Sequence, residues 1–147
     1  MQGFLHSDFG KMGLGVIRYL ENPIVGLIDA ENAGSNINIE HNIDRDIPIY
    51  KSLEEVVNKG AEVLVLGIAP SGGKIPNDWL PLIKAAVKSG LSIINGLHDT
   101  LGDRFSQQLK GSKNQWIWDV RIPNIQPQIA SAKAAELNNK RVLMIGT

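Results

Sequence analysis

Apolar residues follow two alternating rhythms along the chain. Met12, Val16, Tyr19 and Leu20 stand at i, i+4, i+7 and i+8, the stripe of one helical face. Asn22-Pro23 stops that helix, and residues 24–28 read as a buried strand closing on Asp29. Residues 31–46 are polar and Asn-rich, too long for an ordinary connection, so they read as a surface loop or part of a site. Ser52 and Glu55 form a capping-box pattern ahead of Leu53, Val56 and Val57, and Gly60 stands where a helix should end. Residues 63–68 are an unbroken apolar run, too short and too β-branched for a helix. A loop over residues 69–77 leads to Trp79, Leu82, Ile83, Ala86 and Val87 on one helical face, with Pro81 tolerated only in the first turn. Gly90 closes that helix. Residues 91–94 form the next strand, residues 104–109 a shorter helix and residues 116–120 a last strand. Trp116 and Trp118 are expected to face opposite sides of it, with at least one in the core.

Strands separated by helices predict an α/β protein: a Rossmann-like, doubly wound, mostly parallel sheet in three αβα layers. The first domain spans residues 1–125, and residues 126–140 read as a linker or helix. Residues 141–145 then read as a fresh buried strand. A parallel strand without its crossover helix exposes an edge, so the chain is expected to be the N-terminal part of a longer polypeptide.

Composition narrows the chemistry. The 147 residues carry 15 Lys+Arg against 15 Asp+Glu, so no basic excess awaits a nucleic-acid backbone. No apolar run has the length of a membrane span, and no secretory segment opens the chain. With no cysteine, disulfides, thiolate metal sites and Cys nucleophiles are excluded, and the expected location is cytoplasmic. His6 and His41 lack partners at metal-ligand spacing, so no metal site is expected.

Ligands of an open α/β sheet bind outside the carboxyl ends of its strands, which selects four loops. The first holds Gly10, Lys11, Gly13 and Gly15 at a helix start, where backbone N–H groups favour anions. Its spacing is not the dinucleotide fingerprint, yet Asp29 follows after about 20 residues, as a ribose-binding acid would. The plain alternative is that the glycines serve packing and Asp29 caps a loop. In the second loop, Ser71, Gly72, Gly73 and Lys74 suit a phosphate or carboxylate cradle, or simply a glycine-rich turn. The third offers Asn95, His98 and Asp99; imidazole is suited to acid–base work, though a loop histidine is often structural. In the fourth, Arg121 can fork an anion or merely pair with Asp119.

Taken together, Gly10-Lys11, Ile17-Arg18-Tyr19, Ile28-Asp29, Leu66-Gly67-Ile68-Ala69-Pro70-Ser71-Gly72-Gly73-Lys74, Asn95-Gly96-Leu97-His98-Asp99, Asp119-Val120-Arg121 and the run from Arg141 to Thr147 resemble a family long labelled as of unknown function. Its members are similar to two-domain proteins, with a Rossmann-like N-terminal domain and a C-terminal P-loop domain. Some are described as D-glutamate N-acetyltransferases acting with acetyl-CoA, others as nucleotide-dependent epimerases or dehydratases. The resemblance implies that residues 141–147 are the first strand of a truncated P-loop domain, whose part of the polypeptide would hold ATP or another nucleotide. It also implies that Ser71, Gly72, Gly73, His98, Asp99 and Arg121 line a cleft facing that domain.

The expected function is therefore ligand binding within an acetyl-CoA-dependent N-acetyltransferase for D-glutamate or a similar acidic amino acid, inactive without the P-loop domain. His98 would be the base, with Asp99 beside it. Lys74 and Arg121 would meet carboxylates or phosphates, and Asn95 the substrate. Two rivals stand beside it: an NAD(P)-binding epimerase, dehydratase or oxidoreductase using the Gly10 loop and Asp29, and a non-catalytic scaffold. The expected partners are a small-molecule substrate, the P-loop domain of the same polypeptide and further copies of the chain in a homo-oligomer, with neither nucleic acid nor membrane.

Overall fold

The computed structural model describes residues 1–109, 114–123, 125, 129, 131–140 and 142. Along them run α1 (Lys11–Tyr19), β1 (Leu27–Ile28), α2 (Ile37–His41), β2 (Ile49–Tyr50), α3 (Leu53–Val57), β3 (Val63–Val65), α4 (Leu80–Lys88), β4 (Ser92–Asn95), α5 (Leu101–Leu109) and β5 (Ile117–Asp119). Every paired strand is parallel: β1 with β2 in one sheet, and β3-β4-β5 in a second. Helices connect the strands, so the Rossmann-like α/β arrangement holds, with its sheet in two pieces. Leu66, Ile68, Ile83, Ile93 and Leu101 meet Ile17 and Ile37 in the main core, while Ile28, Leu53, Val56, Ala86 and Leu91 form a second cluster.

Several local expectations need correction. α1 buries Gly13 and Ile17, while Tyr19 is 78% exposed, so its inward face is rotated from the expected stripe. The cause is tertiary: Gly13 lacks the side chain that would otherwise hold the helix off the end of β3. Residues 31–46 are not one continuous loop, since the short helix α2 interrupts them. Asn36 caps α2 by accepting from the Asn38 N–H at 3.2 Å, and Ile37, Ile43 and Ile47 are buried. Their spacing matches neither period, because a one-and-a-half-turn helix and two turns share so few residues. Ser52 stands at the N-cap of α3 as expected, but its hydroxyl takes no backbone N–H and lies 3.4 Å from Glu55 Oε1 instead. Residues 24–28 contribute only Leu27–Ile28 as strand, because the preceding residues have no neighbour to pair with.

The remaining expectations divide. Gly60 and Gly90 follow their helices at φ 86°, the left-handed turn that glycine permits, and Pro81 lies in the first turn of α4. Helix α5 starts at Leu101, ahead of the expected boundary. Trp116 and Trp118, two residues apart in a strand, share a face; they are 43% and 52% exposed, so neither is a core residue. Over residues 126–140 the described structure is a single 3-10 turn, Lys133–Glu136. The expected strand at residues 141–145 lies outside the described residues, apart from Val142.

Candidate functional site

The four loops selected from the sequence meet at one end of the fold. Ala69 N–H donates to the Phe9 carbonyl at 2.8 Å, tying the second loop to the first. A Cβ added to Gly96 would lie 3.2 Å from Met12 Sδ, so the third loop also touches the start of α1. His98 N–H donates to the Gly73 carbonyl at 2.7 Å, and Ile75 N–H to Asp99 Oδ2 at 2.6 Å. The third and fourth loops are joined by Asn95 Nδ2 donating to Asp119 Oδ1 at 2.7 Å and by Val120 N–H donating to the Asn95 carbonyl at 2.9 Å.

Each joint has a local cause. Parallel strands end together, so β3, β4 and β5 deliver residues 69–77, 95–100 and 120–123 to the same edge. Gly72 and Gly73 turn the chain at φ 76° and 64°, which side chains rarely adopt. Gly73 is further required by its neighbour: a Cβ there would stand 2.7 Å from His98 Cδ2. The imidazole thus lies against the glycine while remaining exposed. Gly72 has open space where a Cβ would go, so its backbone is accessible to a ligand. Ser71 and Lys74 are exposed beside it, and no ion pair involves Lys74 among the described residues.

Other predicted residues are spent within the fold. Asn95 is fully buried; its amide also donates to the Asp99 carbonyl at 2.6 Å, and its Oδ1 accepts from Leu97 N–H at 3.0 Å. Asp99 has a carboxylate oxygen on the Ile75 backbone, so it shapes the loop carrying Lys74. Asp29 is fully buried: Oδ2 accepts from Gly3 N–H, while Oδ1 accepts from Glu31 N–H and the Asn32 amide, at 3.1 to 3.2 Å. Gly10 N–H donates to the Ser7 carbonyl, and Gly13 N–H donates to the Gly67 carbonyl at 2.9 Å. A Cβ on Gly13 would stand 2.5 Å from that oxygen, so this glycine serves close helix packing. Lys11 pairs with exposed Asp8 at 2.9 Å, and that ammonium, chiefly through its hydrogen bond, lowers the Asp8 carboxyl below its ordinary range.

Arg121 is exposed on the rim, and it does not pair with Asp119. Asp119 is committed elsewhere: Oδ1 accepts from Leu101 N–H at 3.0 Å and Oδ2 from Gly102 N–H at 2.8 Å, satisfying the start of α5. Sequence reasoning gave Asp119 no such task, because the helix it caps lies eighteen residues earlier. Arg45 was missed altogether. Its Nη1 donates to the Ile17 and Leu20 carbonyls at 2.7 Å each, closing the end of α1. Away from these loops, His6 and His41 stack at 5.0 Å, and His6 Nε2 lies 3.1 Å from Glu40 Oε2. Burial first, then the neighbouring His6, lowers the His41 pKa. No cluster among the described residues could hold a metal ion.

The chain therefore presents His98, Lys74, Ser71 and the Gly72 backbone on a glycine-bent rim, beside a network of buried Asn95 with half-buried Asp99 and Asp119. Residues 30–123 match the model of a Rossmann-like domain of unknown function, DUF1611_N. The chain belongs to this family. A DUF1611 family protein of known crystal structure, from Anabaena variabilis ATCC 29413, is 40% identical and superposes with a TM-score of 0.78, over 88% of this chain and 38% of that one. Two proteins named D-glutamate N-acetyltransferase are also similar. The one from Tritonibacter scottomollicae is 29% identical over 138 residues, covering 93% of this chain and 38% of that protein. The one from a Pseudoalteromonas species is 37% identical over 98 residues, covering 65% and 29%. The DUF1611 chain thus spans less than two fifths of the length of the curated relatives it matches. No described helix is long and apolar enough to cross a membrane.

Proposed function

We propose that this DUF1611 domain binds ligand within an acetyl-CoA-dependent N-acetyltransferase acting on D-glutamate or a similar acidic amino acid, and that catalysis requires the P-loop domain of the same polypeptide. The observation that carries this reading is the imidazole of His98 seated on Gly73 beside Lys74. The names of the two relatives support the reaction class, and their greater length supports a further domain.

The residues present fit an anionic ligand. Lys74 and, on the rim, Arg121 are exposed cations, and the open side of Gly72 admits a phosphate or carboxylate close to the backbone. Acetyl-CoA supplies the activated acyl group as a thioester. The domain's own part is to hold the acidic amino acid by its carboxylates and to take, at an imidazole nitrogen of His98, the proton that the amine sheds as its nitrogen–carbon bond forms; the thioester's carbon–sulfur bond breaks, and the CoA thiolate leaves with a proton as the free thiol. Asp99 positions the loop through Ile75 N–H. The rival dinucleotide reading finds less support, since the buried Asp29 has both oxygens engaged and the Gly10 and Gly13 N–H groups are bonded internally.

Steady-state kinetics on the full-length polypeptide test the proposal. His98→Gln is expected to lower kcat ~100-fold or more, the scale of a lost general base. Lys74→Ala is expected to raise the KM for the anionic ligand ~10-fold or more, as for a lost charged hydrogen bond. Unchanged parameters in both variants would reject the site and favour a scaffold role.

A further inference from the structure

Away from the candidate site, a cluster of titratable side chains joins two segments that are distant in the sequence. His6 precedes the Gly10 turn, and His41 is the last residue of α2. Their rings stack with centroids 5.0 Å apart and planes 18° from parallel. Glu40 lies beside them: Oε2 is 3.1 Å from His6 Nε2, and Oε1 accepts from the Ser35 hydroxyl. His6 Nε2 also stands 3.3 Å from Asn32 Oδ1. His6 thus meets residues 31–46 through an amide, a carboxylate and an imidazole. His6 is exposed, whereas His41 is half-buried, and among the described residues its buried Nε2 has no hydrogen-bond partner.

The arrangement accepts two neutral rings but not two charged ones. A neutral imidazole leaves one nitrogen as a bare acceptor, whereas the charged ring carries N–H on both. Charging His41 would therefore put a donor at Nε2 where nothing accepts it. Two imidazolium rings face to face also repel each other. Glu40 cannot answer both, since one oxygen faces His6 and the other is taken by Ser35. The groups around His41 act in both directions. Burial is the largest influence and lowers its pKa, and His6 comes next; the Leu5 backbone and Glu40 raise it, and Arg18 of α1 lowers it further. The net result is a ring that resists its proton.

Movement at His6 has a path to the candidate site. Residues 4–10 form one hydrogen-bonded turn: the Ser7 N–H and hydroxyl donate to the Phe4 carbonyl at 3.2 and 3.1 Å, and Gly10 N–H donates to the Ser7 carbonyl at 3.0 Å. The Phe9 carbonyl in that turn accepts from Ala69 N–H, just ahead of Ser71. We propose that the His6–His41 pair is an acid-released latch on the candidate site. With His41 neutral, the stacked rings hold the first loop against residues 31–46. When both rings carry a proton they part, the turn over residues 4–10 shifts with His6, and the tie between Phe9 and Ala69 loosens. The latch concerns how the loops are held and stands whether or not the acetyltransferase reading does.

The test is made on the full-length polypeptide with no ligand added, so that it does not depend on catalysis. Amide hydrogen exchange at Ala69, corrected for the intrinsic effect of pH, is expected to speed up ~10-fold between pH 7 and pH 5. His41→Asn, which cannot charge, is expected to lose that acceleration. An acceleration that persists in His41→Asn overturns the proposal, because it assigns the loosening to another group such as His98. His6→Asn alters an exposed side chain and keeps the proposal testable should His41→Asn fold poorly. With the facing ring gone, the His41 ring resonance is expected to titrate at higher pH in NMR, and Ala69 exchange is expected to lose its acid step. A His41 titration that stays where it was, or an Ala69 step that remains, overturns the latch.

Discussion

Asp119→Ala is the substitution whose consequence the structure defines most fully. The carboxylate accepts from two backbone N–H groups at the start of α5 and from the amide of buried Asn95. Loss of a helix-capping acceptor costs ~1 kcal/mol, and loss of the negative charge at the helix start adds up to ~1 kcal/mol. Asn95 keeps its bond to the Asp99 carbonyl but strands its other amide hydrogen in a fully buried position, at ~1–3 kcal/mol. These share one group and overlap, so the net expectation is ~3 kcal/mol, or a Tm lowered by ~10 °C. Urea denaturation followed by far-UV circular dichroism reads it as a lower midpoint at unchanged m value. Asp119→Asn retains one acceptor oxygen and is expected to lose about half as much. In a double-mutant cycle, Asn95→Ala and Asp119→Ala should couple by ~1 kcal/mol or more. An Asp119→Ala protein within ~0.5 kcal/mol of the parent would refute the claim that this carboxylate holds the third and fourth loops together.

Three further outcomes follow from particular contacts. Gly13→Ala places a methyl 2.5 Å from the Gly67 carbonyl, so α1 must move, and a loss of ~1–3 kcal/mol is expected in the same denaturation assay. Gly73→Ala and Gly72→Ala share a positive φ and so a backbone strain of ~1–2 kcal/mol, but only the first collides with His98. Gly73→Ala should therefore shift the His98 ring resonances in NMR, and Gly72→Ala should leave them in place. Stability should fall on acidification below pH 6.5, because burial first and then His6 lower His41, so the unfolded chain binds a proton there that the folded chain refuses. His41→Asn should abolish this loss in denaturation midpoints compared at pH 7 and pH 5, and an equal loss in the variant would contradict it.

The alternation of strand and helix, and so the fold class, could be read from the chain because both periods depend only on neighbouring residues. The apolar run that contains Val63 and the stripe through Trp79, Ile83, Ala86 and Val87 announce their elements locally. The glycines after α3 and α4 do so as well, since a left-handed turn is a property of one residue. The meeting of the loops at one end followed from parallel strands ending together. What each polar residue does there was decided elsewhere. Asp29 and Asn95 are alike in the sequence to ligand-binding groups, yet both are buried and bonded within the fold, because their partners come from distant loops. His98 rests on Gly73 for the same reason. Residues 31–46 were misread since Ile37, Ile43 and Ile47 reach the core through short turns with no period of their own. The sequence by itself determined the kinds of element and their order, since these arise from local backbone preference and spacing. Only the tertiary structure decided which polar groups stay open to a ligand, since that depends on which distant segments the packing brings into contact.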